Sequence, residues 1–170
     1  MSVAFRRWKS GDLEEIRCVV LETWLAAYLS FIPEDDLRSY HDEFYSQEKL
    51  TELMQNPQAN GFVATENDTV VGFVRTDFAA DEQRYYVSSL YVLPKYQARG
   101  IGKRLMQLAA EEARSHGLDR VWVGVMVENT AGLGWYKRLG YQITEEKPFT
   151  MGKTTVQHYI GYVLLESIEG

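Results

Sequence analysis

Between Leu90 and Met106 the chain carries residue types that could hold an anion. Leu90-Tyr91-Val92-Leu93 is apolar and stops at Pro94, as a strand would. Ile101, Leu105, Leu108, Ala109 and Ala113 then recur at helical spacing. Between the two lies the basic, glycine-bearing turn Gln97-Ala98-Arg99-Gly100-Ile101-Gly102-Lys103-Arg104. A helix start leaves four backbone N–H groups without partners and carries a partial positive charge, so it suits a phosphate-type ligand. Gly100 and Gly102 clear side chains from the approach, and Arg99, Lys103 and Arg104 add formal charge. Spacing alone leaves an ordinary glycine turn ahead of a surface helix equally open. Two other phosphate loops do not fit. No Gly-x-x-x-x-Gly-Lys-Ser/Thr run is present, and Leu105 stands where the third glycine of a dinucleotide fingerprint would fall.

Gln97-Ala98-Arg99-Gly100-Ile101-Gly102 resembles the Gln/Arg-x-x-Gly-x-Gly/Ala signature of the GNAT superfamily of N-acetyltransferases. The resemblance implies that main-chain amides from Gln97 through Lys103 cradle the diphosphate of acetyl-CoA. It also implies that the strand at Leu90, Tyr91 and Val92 bulges and splays from its neighbour, pairing with pantetheine through its backbone. Further on, the stretch from Asn129 to Tyr141 resembles the family's Asn-x-x-Ala-x-x-Phe/Trp-Tyr-x-x-x-Gly-Phe/Tyr pattern, with Gly132 where alanine is usual. That likeness implies a contact from Asn129 to the cofactor arm and a general-acid role for Tyr136 beside the sulfur. A tyrosine hydroxyl, with a pKa of about 10, is protonated at neutral pH and can donate. Read from the residues alone, Tyr136 could equally anchor its helix to the sheet.

Acetyl transfer to an amine also needs a proton acceptor, because an alkylammonium with a pKa of about 10.4 cannot attack. The strand Tyr85-Tyr86-Val87-Ser88-Ser89-Leu90 holds no carboxylate. Asp77, Glu82 and Glu128 remain as candidates, beside a water relayed through Ser88. On the acceptor side, Trp24 and Tyr28 followed by Pro33-Glu34 resemble a Trp-x-x-x-Tyr…Pro-Asp/Glu pattern of bacterial members related to polyamine acetyltransferases. The resemblance implies aromatic walls from Trp24 and Tyr28 and a diamine steered by Glu34, Asp35 and Asp36. A core stripe and a solvated helix start account for the same residues.

The elements needed to position these groups are legible in order. Val3–Trp8 reads as a strand, then a helix capped by Ser10 runs through Ile16, Val19, Val20, Trp24, Ala27 and Tyr28. A polar helical stretch from Glu34 to Met54 breaks near Ser46. Gly61–Thr65 and Val70–Arg75 form a hairpin around Glu66-Asn67-Asp68. The strand from Tyr85 to Leu93 and the helix closed by His116-Gly117 follow. Val121–Val127 is a strand apolar enough for cover on both faces. A short helix spans Asn129 to Gly140, a strand starts at Tyr141, Lys147–Lys153 forms a loop, and Val156–Leu165 is the last strand. The sequence thus predicts an α/β fold. The resemblance makes it a single GNAT-like domain over residues 1–170, with a mixed, mostly antiparallel sheet of about seven strands, helices on both faces and a splayed central pair.

With 170 residues, 45% apolar and 25% charged, the composition is that of an ordinary globular domain. The net charge of −6 argues against a nucleic-acid partner. Cys18, the single cysteine, excludes an intrachain disulfide, and its place in a helical pattern predicts packing. His41, His116 and His158 lack ligand spacing, so no metal is expected. No apolar run reaches the roughly 20 residues that cross a bilayer, so a cytoplasmic location is the expectation. The resemblance implies an acyltransferase that uses acetyl-CoA as co-substrate and acts on a small-molecule or peptide amine by direct attack in a ternary complex. A homodimer is left open. The alternative is a catalytically silent module of the same fold that senses CoA or an amine.

Overall fold

Strands that are apolar at consecutive positions need cover on both faces. In the computed structural model, which describes residues 2–169, the strands around Val71–Val74 and Val121–Val123 receive it. The elements run β1 (Ala4–Arg7), α1 (Leu13–Tyr28), α2 (Glu34–Phe44), α3 (Gln47–Gln55), β2 (Ala59–Glu66), β3 (Thr69–Ala79) and β4 (Arg84–Val92). They continue with α4 (Ile101–Ser115), β5 (Arg120–Met126), α5 (Thr130–Arg138), β6 (Gln142–Met151), β7 (Thr154–Leu164) and α6 (Leu165–Glu169). One seven-stranded sheet has the order β1-β2-β3-β4-β5-β7-β6, antiparallel except where β4 meets β5. On one face Ile16, Val20, Trp24, Leu37 and Leu50 from α1–α3 pack on Val63 and Phe73. On the other, Leu105, Met106, Ala109 and Ala113 of α4 pack on Val71, Val74, Val121 and Val123.

Local chemistry sets the joints. Asn67 and Asp68 adopt φ of +52° and +63°, which makes the two-residue turn between β2 and β3. Ser46 caps α3 by accepting from Lys49 N at 3.1 Å, which is where the polar helical stretch breaks. Gly117, at φ +75°, ends α4 as expected.

Four expectations need correction. Ser10 does not cap α1, because a 3-10 turn over Ser10–Asp12 comes first. The stretch Lys147–Lys153 is mostly strand: β6 runs to Met151, leaving Gly152-Lys153 as the turn. Pro148 is tolerated there because β6 is an edge strand. The last strand ends at Leu164, and Leu165 opens α6. Cys18 is exposed rather than packed, and partial burial together with Glu14 pushes its thiol pKa up, away from the reactive thiolate. No helix among the described residues is long and apolar enough to cross a membrane.

The turn before α1 is held by Asp12, whose carboxylate accepts from both Arg6 Nη atoms at 2.8 Å and from Lys9 N at 2.9 Å. The Arg6 hydrogen bonds, foremost, hold its pKa below the usual carboxylate value. A depressed folded-state pKa contributes stability that is present above about pH 4 and lost as pH falls through the lower folded value. Asp12→Asn is therefore expected to cost about 1–2 kcal/mol at pH 7 and to lose less further stability below pH 4 than the parent, as read by urea unfolding at several pH values.

Candidate active site

The site is built around a defect in β4. In the register with β3, Arg75 faces Ser89 and Thr76 faces Val87, so Ser88 is the extra residue of a bulge. Past this point β4 leaves β5: Tyr86 opposite Trp122 is the single paired position among the described residues. β5 is instead paired along its length with β7, from Arg120 opposite Leu164 to Met126 opposite His158. The β5-facing edge of β4 from Leu90 to Val92 thus has no partner strand, as an added strand would require, although Val92 O is already bonded by the Gln97 side chain. The bulge and the splay agree with the expectation.

The basic turn lies just beyond. Ala98 has φ +63° and Gly100 φ +81°, two left-handed residues on either side of Arg99. Successive residues of alternating hand turn their N–H groups inward as an anion-binding nest. Gln97, Ala98, Arg99 and Gly100 are exposed, and a Cβ on Gly100 would meet nothing within 4 Å. The corner is therefore open, not filled by side chains. Arg104 N donates to Gly100 O at 3.1 Å, and the N–H groups of Ile101 and Gly102 ahead of it belong to the helix mouth. Gln97 Nε2 donates to Val92 O at 3.0 Å and ties the turn to the strand end. Gly102 does something the spacing did not suggest: a Cβ there would lie 3.2 Å from the Trp135 ring, so its missing side chain lets α5 close on α4.

That closure places Tyr136. Its ring stands edge-on to Trp135 at 5.0 Å and packs on Tyr141 at 5.8 Å. Burial pushes its phenol pKa up, and the neighbouring Tyr28 and Tyr141 phenols add to the rise. The hydroxyl is a donor throughout the neutral range. Asn129 caps α5, its Oδ1 accepting from Gly132 N at 3.1 Å. A Cβ on Gly132 would strike the Asn129 side chain, so glycine in place of alanine is what lets this carboxamide fold back.

Tyr28 opens onto a cavity of about 300 Å³ on the other side of the sheet. Trp24, Tyr28, Tyr40, Tyr45, Tyr91 and Phe149 wall it, with Arg75, Ser88 and Lys49 as polar members. Trp24 and Tyr28 are thus both core residues and cavity walls, since both readings describe the same inward faces. Glu34 is not in the lining and pairs with Arg38 Nε at 2.7 Å along α2. Asp36 accepts from Lys153 N and Thr154 Oγ1, fastening α2 to the β6–β7 turn. Among the candidate bases, Asp77 is joined to the bulge, its Oδ2 accepting from Ser88 Oγ at 2.5 Å and from Arg75 Nη1 at 2.6 Å. Glu82 is instead bound to the Tyr86 hydroxyl on the outer surface, and Glu128 is exposed.

The sequence reading missed Tyr40, Tyr45, Arg75 and Phe149 as cavity walls, and Tyr91 as more than a backbone contributor. No local signal marks them, because they come from separate elements that meet only when α1–α3 fold over β3, β4 and β6.

Residues 20–141 match the model of the acetyltransferase (GNAT) family. A spermidine N(1)-acetyltransferase of Thermoplasma acidophilum is 28% identical over 159 residues, covering 90% of this chain and 98% of the relative. An uncharacterized N-acetyltransferase of Methanocaldococcus jannaschii is 32% identical over 154 residues, covering 86% of this chain and 62% of its own. Among solved structures, the PaiA N-acetyltransferase of T. acidophilum in complex with coenzyme A superposes with a TM-score of 0.83 at 24% identity. It covers 96% of this chain and 99% of its own.

Proposed function

We propose, from the premise that the chain belongs to the GNAT family of acetyltransferases and is an acetyl-CoA-dependent N-acetyltransferase, that the acetyl group passes to a primary amine seated in the aromatic cavity. The carrying observation is the position of Tyr136. Its ring belongs to the helix that closes on the α4 mouth, and burial keeps its phenol protonated. A protonated donor beside the turn that would hold the cofactor can serve the group that leaves. The coenzyme A complex of the T. acidophilum PaiA structure and the spermidine activity named for the T. acidophilum relative support the two halves, cofactor and amine.

In this reading the amides of the Gln97–Lys103 turn hold the diphosphate, Arg99 and Lys103 add charge, and Asn129 keeps its Nδ2 as a donor toward the cofactor arm. The open edge of β4 at Leu90, Tyr91 and Val92 hydrogen-bonds the pantetheine amides. A backbone N–H there stabilises the negative charge that develops on the carbonyl oxygen. The amine's proton passes to Ser88 Oγ as the hydrogen that Ser88 donates to Asp77 passes to that carboxylate. The nitrogen forms its bond to the carbonyl carbon, the C–S bond breaks, and the Tyr136 hydroxyl donates to the departing sulfur. The attack is direct in this reading, since Cys18, the single thiol, is exposed on α1 and does not line the cavity.

The test is thiol release from acetyl-CoA across a panel of primary amines, with CoA binding measured alongside. Turnover on at least one amine is expected. Tight CoA binding without thiol release from any amine would instead support a silent sensor. At pH 7 roughly one alkylamine in 2,500 is neutral, so the proton path should matter most there. Ser88→Ala is expected to lower kcat/KM about tenfold at pH 7, with the gap narrowing toward pH 10 as free amine accumulates. A pH-independent loss would assign Ser88 to shape alone.

A further inference from the structure

The acceptor face of the sheet carries a histidine that the proton path through Ser88 does not use. On β5, Val121, Val123 and Val125 pack toward α4, so Trp122, Gly124 and Met126 point to the α1–α3 side. Gly124 is exposed although β5 lies inside the sheet, which leaves a window over its Cα. Met126, two residues on, lines the aromatic cavity, as does Ser88 on the neighbouring β4. His158 of β7 stands opposite Met126 and leans its ring across the window. A Cβ on Gly124 would lie 3.1 Å from His158 Cδ2 and 3.7 Å from its Nε2. The ring also packs on Phe149, a cavity wall, with centroids 5.3 Å apart. Its other nitrogen, Nδ1, lies 2.7 Å from Lys147 O on β6. A carbonyl oxygen only accepts, so Nδ1 carries the hydrogen and the neutral ring presents a lone pair at Nε2. That atom has no hydrogen-bond partner among the described residues. The tautomer is thus fixed, and the basic edge of the ring is turned toward β5.

Resting on the amine-acetyltransferase reading, we infer that His158 is a further catalytic residue, its Nε2 accepting a proton from the attacking nitrogen. The proton count calls for a second acceptor. A primary ammonium carries three hydrogens on nitrogen and the amide product carries one, so two protons leave. Ser88 Oγ, through Asp77, takes the first. The second leaves once the nitrogen has bonded to the carbonyl carbon. An N–H bond breaks, its electron pair stays on nitrogen, Nε2–H forms, and the C–S bond breaks as the carbonyl is restored. Without an acceptor the nitrogen keeps a positive charge and the amine is expelled again. β4 and β7 flank β5, so a nitrogen above Gly124 has Ser88 on one side and His158 on the other. His158 is half-buried, and its imidazolium returns the proton to solvent.

His158→Gln and His158→Ala are assayed by thiol release from acetyl-CoA with spermidine and phenethylamine. Each is expected to lower kcat about tenfold, with KM for the amine and Kd for CoA within about threefold of the parent. Glutamine can still donate to Lys147 O but has no basic nitrogen, so it would replace a ring that only ties β7 to β6. Added imidazole is expected to restore part of the His158→Ala rate, more so for more basic ring derivatives, and to leave Ser88→Ala unchanged. A kcat in His158→Gln within about twofold of the parent, a loss confined to KM, or no response of His158→Ala to any imidazole overturns the inference. Long-range proton–nitrogen correlation spectra of the CoA-saturated protein give a readout independent of turnover, with the His158 signals identified by their loss in His158→Gln. They are expected to show hydrogen on Nδ1 and none on Nε2, and the Nε2 signal is expected to move when the amine is added. Hydrogen on Nε2 instead, or an Nε2 signal that saturating amine leaves in place, also overturns it. Absence of thiol release from every amine overturns the transferase reading, and the spectra still decide the placement of the imidazole.

Discussion

Tyr136→Phe is expected to lower kcat about 100-fold on whichever amine is accepted, while the Kd for CoA stays within about twofold. The substitution removes one oxygen and keeps the ring that packs on Trp135 and Tyr141. A donor acting on charge that develops only in the transition state is worth about 2.7–4 kcal/mol, which falls on kcat rather than on binding. A free thiol has a pKa of about 8.5, below that of a phenol already raised by burial. Complete transfer from Tyr136 to the sulfur is therefore uphill. Its contribution is a hydrogen bond that strengthens as the C–S bond opens, and the released thiolate takes its proton from solvent afterwards. It follows that the phenol does not titrate below pH 10, so the variant should keep the shape of the parent's pH profile at a lower level. Single-turnover rates and calorimetry separate the two terms. A loss confined to KM for acetyl-CoA would make Tyr136 a packing residue.

Gly100→Asp is expected to weaken acetyl-CoA binding about 100-fold with little change in Tm. Glycine is needed at φ +81°, but aspartate is among the few residues that tolerate the left-handed region. Its Cβ would meet no atom within 4 Å, and a carboxylate at a helix N-terminus favours the helix itself. The same charge repels a diphosphate by about 3 kcal/mol at an effective dielectric near 20. A protein as stable as its parent but blind to acetyl-CoA is the signature of a main-chain anion site. Unchanged affinity would move the diphosphate elsewhere.

What the sequence made legible was local. Asn67-Asp68, Ser46 and Gly117 each determine a joint through their own backbone preference, and each stands where the pattern puts it. The bulge and splay of β4 came from likeness to a family, since nothing in Tyr85–Val92 alone requires an extra residue at Ser88. The cavity was not legible because its walls are set by contacts between distant segments: Trp24 on α1, Tyr45 after α2, Arg75 on β3 and Phe149 on β6. Gly102 shows the same limit in miniature. A motif glycine suggests room for a ligand, yet the room at Gly102 is taken by Trp135 and gives Tyr136 its position. Asp36 was weighed as a steering charge, whereas it fastens α2 to the β6–β7 turn.

The most direct test of the account is an amide NMR titration of the protein with CoA, followed residue by residue. The N–H signals of Gly100, Ile101, Gly102 and Lys103 are expected to shift first and furthest, together with those along Leu90–Val92. Saturation of the protein by CoA while the turn's amides stay at their free positions would contradict it.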